Sequence, residues 1–370
     1  MRIGMVSESF YPSVGSVPEH VHHLAREARR LGHRVQILTT AMPNRSACPP
    51  DSFGPDVIRL GRSFPMLGRR GLGRLACGPG LAGRLREVLA RERFDVLHIH
   101  SPLSPVLPLL ALHYATCPVV GTFHDGLEPG PLFQLARPTL QRYLDRIDAP
   151  VAISRASLAP LRGRLQADFQ VIPHGVDADR FSRGRRLRRY DDGQLNLLWV
   201  GRAEPRAGLD RMLAAFERVW REVDARLIVV GGGPLLPRYQ AMVPAALADD
   251  VIFAGEVLES RPDWYATADI CCVSARAEGA GLTILEAMAA GKPVVASDLR
   301  GHRELLHPGR EGELVDPEDT TAWVRSIVRL AREPVRAASY GERGRQTAAQ
   351  YAWPSIAREI LSLYRTVARA

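Results

Sequence analysis

Lysine is nearly missing from this chain: of its 49 basic residues only Lys292 is a lysine. Schiff-base chemistry therefore has a single candidate, and that one lies in a Gly-Lys-Pro turn before a strand. Cysteine is scarce and unpatterned. The five residues (Cys48, Cys77, Cys117, Cys271, Cys272) are odd in number and form no C-x-x-C, which argues against a disulfide framework and a structural zinc site and favours a reducing, cytoplasmic setting. Aromatic residues make up 6% of the chain, so no stacking platform for nucleic acid is visible. Long apolar runs are missing too. The longest, Val106 to Val120, is broken by Pro108, His113 and Pro118 and falls short of the ~20 residues that span a bilayer. The opening M-R-I-G-M-V-S-E-S is too short for a leader and is interrupted by Glu8.

Set against these absences, 46% of the 370 residues are hydrophobic and 24% charged, the composition of a globular protein with a core. The length suits two domains at ~150 residues each. The net charge of +9 is unevenly spread, with 21 arginines against 13 acidic residues up to Gln170. That excess suggests a partner of negative charge in the first half, or a solvated arginine-rich face.

The chain opens with a βαβ pattern: strand Arg2–Val6, a loop containing Gly15, a helical stretch His20–Leu31 closed by Gly32, and strand Val35–Thr39. Further strands are expected near 57–60, 96–99, 119–122 and 150–153, with helices at 81–93 and 138–147. A second series follows the segment Val171-Ile-Pro-His-Gly-Val-Asp177. Its strands are expected at 195–200, 226–230, 251–254, 270–273 and 293–296, with helices at 209–222, 235–243, 260–267 and 283–290. Alternating strands and helices make parallel sheets. The fold class is therefore α/β, two Rossmann-like doubly wound domains in tandem: residues 1–168, residues 169–350, and a final helix over 351–370 packing back on the first domain. Ligands in such sheets bind beyond the carboxyl ends of the strands, so two facing sheets would share one cleft.

The most informative segment is Arg276-Ala-Glu-Gly-Ala-Gly-Leu-Thr-Ile-Leu-Glu-Ala-Met-Ala-Ala-Gly-Lys292, between a strand and a helix. Free amides of Gly279–Leu282 at the helix start, with the helix dipole, favour a diphosphate. Glu278 and Glu286 beside them can accept hydrogen bonds from sugar hydroxyls, or serve as a cap and a surface charge.

This segment and its surroundings resemble the family-4 retaining glycosyltransferases of GT-B fold. The E-x7-E signature is Glu278…Glu286, and Gly201-Arg202, Val230-Gly-Gly-Gly-Pro234 and Gly291-Lys-Pro-Val-Val-Ala-Ser297 agree with it. The first half looks most like bacterial phosphatidylinositol mannosyltransferases, through M-R-I-G-M-V, Asp95-Val-Leu-His-Ile-His100 and Thr122-Phe-His124. The resemblance implies transfer of a hexose, mannose or glucose type, from a GDP or UDP sugar to a lipid or glycan acceptor, without a metal or other cofactor. It assigns Glu286 to the ribose, Glu278 and His124 to the transferred sugar, and Arg202 to the diphosphate. Gly15, Ser16, Arg206, Gly279, Gly281 and Leu282 would line the donor phosphates. Two positions depart from the family: Ala207 stands where a lysine is usual, and Ser16 where a second glycine is usual.

Arg59, Arg62, Arg69, Arg70 and Arg74 bracket Phe64, Met66 and Leu67, a mixture that suits an anionic membrane surface and a peripheral location on the inner face of the cell membrane. Nucleic acid is not expected as a partner. His98-x-His100 could be read as a metal pair, but no third ligand is evident and a structural role is favoured; Asp177-x-Asp179 is likewise favoured as structural. The alternatives to an active transferase are an impaired relative that binds a sugar nucleotide or a partner, and a nucleotide-sugar epimerase.

Overall fold

A computed structural model describes residues 1–41, 56–68, 71–124 and 131–369 of the chain. Two compact units emerge, Met1–Gly175 together with Trp353–Ala370, and Val176–Ala352.

The first unit runs β1 (Arg2–Val6), α1 (Ser16–Arg30), β2 (Arg34–Ala41), β3 (Val57–Gly68), β4 (Gly71–Cys77), α2 (Leu81–Glu92), β5 (Val96–His100), α3 (Leu107–Tyr114), β6 (Val119–Phe123), α4 (Pro131–Leu144), β7 (Ala149–Ala152), α5 (Arg155–Leu158) and β8 (Gln170–Val171). The second comprises α6 (Ala178–Ser182), β9 (Leu195–Val200), α7 (Leu209–Trp220), β10 (Ala225–Val230), α8 (Leu236–Ala241), β11 (Val251–Gly255), α9 (Arg261–Thr267), β12 (Ile270–Val273), α10 (Leu282–Ala289), β13 (Val294–Ser297), α11 (Arg300–Arg303), β14 (Gly312–Val315), α12 (Thr320–Arg332) and α13 (Pro334–Gln350). The closing helix, α14 (Trp353–Val367), belongs to the first unit.

In the first unit the strand order is β4-β3-β2-β1-β5-β6-β7-β8. All pairs are parallel except β3 with β4, an antiparallel edge hairpin that the sequence reading lacked. The central strands are apolar on successive residues because helices cover both faces; Ile3, Met5, Val6, Val96, Leu97 and Ile99 are fully buried. On α14, Trp353, Ile356, Ala357, Ile360, Leu361, Tyr364 and Val367 form one buried stripe at helical spacing, which packs on α1.

In the second unit the order is β11-β10-β9-β12-β13-β14, all parallel. Leu197, Trp199, Leu227, Val229, Ile270 and Val295 build a core against α7 and α12 on one face. Leu198, Ile228, Cys271, Val294 and Ala296 build another against α9 and α10. Strand order reverses between β1 and β5 in the first sheet and between β9 and β12 in the second. At such a reversal the loops leaving the carboxyl ends of the two strands part, and a ligand crevice opens.

Candidate donor site and the buried histidine cluster

In the second unit the loops leaving β9 and β12 begin at that reversal. Gly201 and Arg202 follow β9, and Ser274 to Gly281 lead from β12 into α10. Three hydrogen bonds knit the loops together. The Trp199 indole donates to Ser274 Oγ at 3.1 Å, Ser274 Oγ donates to the Gly208 carbonyl at 2.8 Å, and the Arg276 amide donates to the Arg206 carbonyl at 2.8 Å. Gly208 is required here: its φ is +70°, and a Cβ would stand 1.9 Å from the Ser274 carbonyl oxygen.

α10 starts at Leu282 after Gly281, which takes the left-handed conformation with φ +63°. The first intrahelical bonds come from the amides of Ile284 and Leu285, both to the Gly281 carbonyl. The amides of Gly281, Leu282 and Thr283 thus head the helix as donors for an anion. A Cβ at Gly279 would meet nothing nearer than Arg206 Nη2 at 4.0 Å, so the loop is open there. The half-buried Arg206 guanidinium finds no carboxylate among the described residues. Arg202, about half exposed, pairs with the buried Glu204 at 2.9 Å.

The two acidic residues of the signature have different surroundings. Glu278 accepts the amides of Arg300 and Gly301, each at 2.8 Å, and so ties its loop to the start of α11. Glu286 is 3% exposed, not a surface charge. Arg261 Nη2 lies 2.9 Å from its Oε1, and the Tyr265 hydroxyl donates to Oε2 at 2.9 Å. Burial and the carboxylate together push the Tyr265 hydroxyl well above its usual pKa, which keeps it a donor. A carboxylate oxygen has two lone pairs, so Glu286 retains acceptor capacity. Sequence reasoning missed Arg261 and Tyr265. They lie on α9, over twenty residues before Glu286, and no local pattern links them to it.

In the first unit Gly15 precedes α1, and a Cβ there would meet only Pro18 Cδ at 3.8 Å. Ser16 is the first residue of α1, and its carbonyl accepts from His174 Nε2 at 2.9 Å. His124 follows β6 and is 2% exposed, inside a cluster of buried imidazoles. Its Nε2 is 3.0 Å from His100 Nδ1. His98 contacts Thr122 Oγ1 at 2.7 Å through Nε2 and the Tyr364 hydroxyl through Nδ1. The two-residue period of a strand puts His98 and His100 on one face of β5, beside Thr122 on β6, which pairs with His100, and His124 just past the end of β6. His20 of α1 caps that face, edge-on to His100, His124, His174 and Trp353 at ring-centroid distances of 4.9–5.3 Å. Burial lowers the pKa of all these rings, that of His98 to about 3.

Among the described residues no group of three or more His, Cys, Asp or Glu is placed to hold a metal ion. The His98–His100 pair has the partners named above. Asp177 caps α6, accepting the Arg180 amide at 3.3 Å. Lys292 is likewise structural, donating to the Ala266 carbonyl at 2.9 Å. The basic surface needs one correction. Arg59 turns inward, donating to the carbonyls of Thr40, where the β2–β3 register shifts, and of Tyr11 in the loop after β1, at 3.2 and 2.7 Å. Arg62 is exposed on β3. Arg69, Arg70 and the Arg74 side chain lie outside the described residues. Two hollows of about 440 and 480 Å³ sit at the amino ends of first-unit strands, lined by Met1 and Asp95 and by Asp148 and Ala149, away from the ligand end of the sheet.

The family described as Glycosyltransferase Family 4 matches residues 17–180, and Glycosyl transferases group 1 matches residues 194–333. The phosphatidyl-myo-inositol mannosyltransferase of Mycobacterium tuberculosis is 34% identical, over 100% of this chain and 97% of its own length. The chain belongs to the family-4 glycosyltransferases. A Propionibacterium freudenreichii phosphatidyl-myo-inositol mannosyltransferase is 30% identical over 98% of this glycosyltransferase and 94% of its own length. Among solved structures, sucrose-phosphate synthase from Thermosynechococcus elongatus matches with a TM-score of 0.78 at 22% identity, covering 99% of this chain and 98% of that one. Anabaena HepE in complex with UDP-glucose matches at 0.79 and 19%, covering 99% and 100%. These likenesses establish the GT-B fold for the glycosyltransferase. No helix among its described residues is long and apolar enough to cross a membrane.

Proposed function

We propose that this glycosyltransferase moves a mannose-type hexose from a GDP or UDP sugar to a phosphatidylinositol-class lipid, retaining anomeric configuration and using no metal ion or other cofactor. The reading is carried by one observation. The amides heading α10, the guanidiniums of Arg202 and Arg206, and the carboxylates of Glu278 and Glu286 all belong to the two loops and the helix at the second sheet's strand reversal. Full-length similarity to phosphatidyl-myo-inositol mannosyltransferases supports the sugar and the acceptor. Amides and guanidiniums fixed before reaction stabilise a diphosphate that gains charge as it leaves. Arg202 would exchange Glu204 for phosphate, a bidentate partner of the same kind. Glu286 would take ribose hydroxyls, and Glu278 and His124 hydroxyls of the transferred sugar. With a lipid acceptor the enzyme would work peripherally at a membrane, on this reading the inner face of the cell membrane.

Purified protein given phosphatidylinositol vesicles and labelled GDP-mannose, with UDP-glucose in parallel, should form a hexosyl lipid. Glu286→Ala should lower that rate at least about tenfold, the scale of one lost charge-assisted contact. Ala207 favours a second reading, in which the site binds the nucleotide sugar without turning it over. Binding of either donor with no product would select that reading. Absence of binding at millimolar donor would overturn both.

A further inference from the structure

His100 and His124 face each other nitrogen to nitrogen at 3.0 Å, and both rings are almost fully buried. Burial disfavours the imidazolium form of each, so at neutral pH both rings are neutral. A neutral imidazole carries one N–H and one bare nitrogen. The pair must therefore share a single hydrogen across the gap, and the tautomer of one ring sets that of the other. The two outer nitrogens, His100 Nε2 and His124 Nδ1, have no partner among the described residues.

Only two arrangements exist. If His124 Nε2–H donates, the leftover N–H falls on His100 Nε2. The His100 ring, at the end of β5, lies between the rings of His98 and His20, at centroid distances of 4.2 and 5.3 Å. No ligand bound by His124 can satisfy that N–H. If His100 Nδ1–H donates, the leftover N–H falls on His124 Nδ1, on the ring assigned above to the transferred sugar, and a sugar oxygen that reached this buried atom would complete the pair. An orphaned N–H costs more than an orphaned lone pair, so the second arrangement is favoured once a ligand is present.

We propose that His100 is a positioning residue that donates from Nδ1 to Nε2 of His124, fixing His124 in the Nδ1–H tautomer so that it offers a hydrogen bond to an oxygen of the transferred sugar. The proposal rests on the assignment of His124 to that sugar. His98 sits one rung deeper on the same face, bonded to Thr122 and Tyr364, and holds the His100 ring from below. His20 presses its edge on the His124 face, so neither ring can flip without repacking the cluster.

The test reads the tautomer directly. Protein labelled with ¹⁵N in its histidine rings and saturated with the nucleotide sugar it binds is examined at pH 7.5 by long-range proton–nitrogen spectra, with the His124 signals identified by their loss in His124→Gln. His124 should show a protonated Nδ1 in the wild type and in His100→Asn, whose amide can donate from the same place. In His100→Phe, which has no donor, the proton should move to Nε2. Turnover of the nucleotide sugar used by the wild type should fall about tenfold or more in kcat for His100→Phe, with KM for the donor little changed. His100→Asn should recover to within about threefold. A protonated Nε2 on His124 in the wild type, or an unchanged tautomer in His100→Phe, overturns the proposal. Should His100→Phe fail to fold, the wild-type and His100→Asn spectra still decide it. Full turnover by His124→Ala would instead overturn the assignment of His124 to the sugar, whatever its tautomer.

Discussion

Glu286 is held in place by Arg261 and Tyr265. Arg261 is itself buried, with its guanidinium 2.9 Å from the carboxylate and 5.7 Å from the ring of Phe181, and Tyr265 closes the other oxygen. Taking two charges out of water is costly, and a buried pair seldom repays that cost in stability. Retaining it is explained if the carboxylate must stand at the donor loop. Arg261→Ala should therefore destabilise the second unit by about 3–5 kcal/mol, because it strands a buried carboxylate. The double variant Arg261→Met with Glu286→Met should regain most of that loss in urea unfolding while still failing to bind nucleoside diphosphate by calorimetry. If the double variant binds as well as the wild type, the pair serves folding alone. The sequence made Glu286 visible through its spacing from Glu278, but not its burial, since both partners reach it across the tertiary fold. Arg59 misled for the same reason. An arginine in a basic run reads as surface, yet its long side chain can turn back to backbone carbonyls.

Among elements, those that fill both faces of a sheet were the most legible. β9 and β10 are near-continuous apolar runs and lie at or within one residue of the expected positions. Elements of mixed character were not. β4 is Gly-Leu-Gly-Arg-Leu-Ala-Cys, whose glycines and arginine hide a strand, and it exists because β3 offers it an edge. The helix expected over 138–147 begins at Pro131, with Pro138 inside it. The proline is tolerated because that stretch faces solvent: Gln134, four residues before it, is exposed, so water can serve the carbonyl left without a partner. Helices α12 and α13 abut at Glu333 with no loop between them to punctuate the sequence. The donor loops depend on a contact that spacing could not show, the touch of Gly208 on the Ser274 carbonyl. Gly208→Ala must both hold a left-handed φ and push the β9 and β12 loops apart. It should cost the second unit about 2 kcal/mol or more in urea unfolding and weaken nucleoside diphosphate binding roughly tenfold. A stable variant with wild-type binding would mean the loops can separate without consequence.

Across the whole molecule, histidine is unevenly shared between the two units. Nine of the eleven lie in the first unit, where burial depresses the pKa of His20, His98, His100, His124 and His174, that of His98 to about 3, and lowers that of the partly buried His22 to about 4. A histidine depressed in the folded state is neutral there while the unfolded chain takes up a proton below about 6.5, so stability is lost as pH falls through that value. For His98 alone the loss at pH 5 is about 2 kcal/mol. His20, His100, His124 and His174 act in the same direction. Glu8 acts against them. Burial raises its carboxyl to about 7 although it accepts the amides of Ala76 and Leu107, so protonation relieves a strain that is present above that pH. Between pH 7.5 and 5 that relief is about 2 kcal/mol, enough to offset one histidine and no more. In the second unit His302 is the histidine with a depressed pKa, lowered chiefly by burial. Acidification from pH 7.5 to 5 should therefore lower the urea midpoint of first-unit peptides, β5, β6 and α14 above all, more than that of β9, β10 and α10. Pulsed hydrogen exchange at a fixed labelling pH, after equilibration at each pH and urea concentration, reads both units in one sample. Equal shifts in the two units would mean that the histidine cluster is not the acid-sensitive element of the fold.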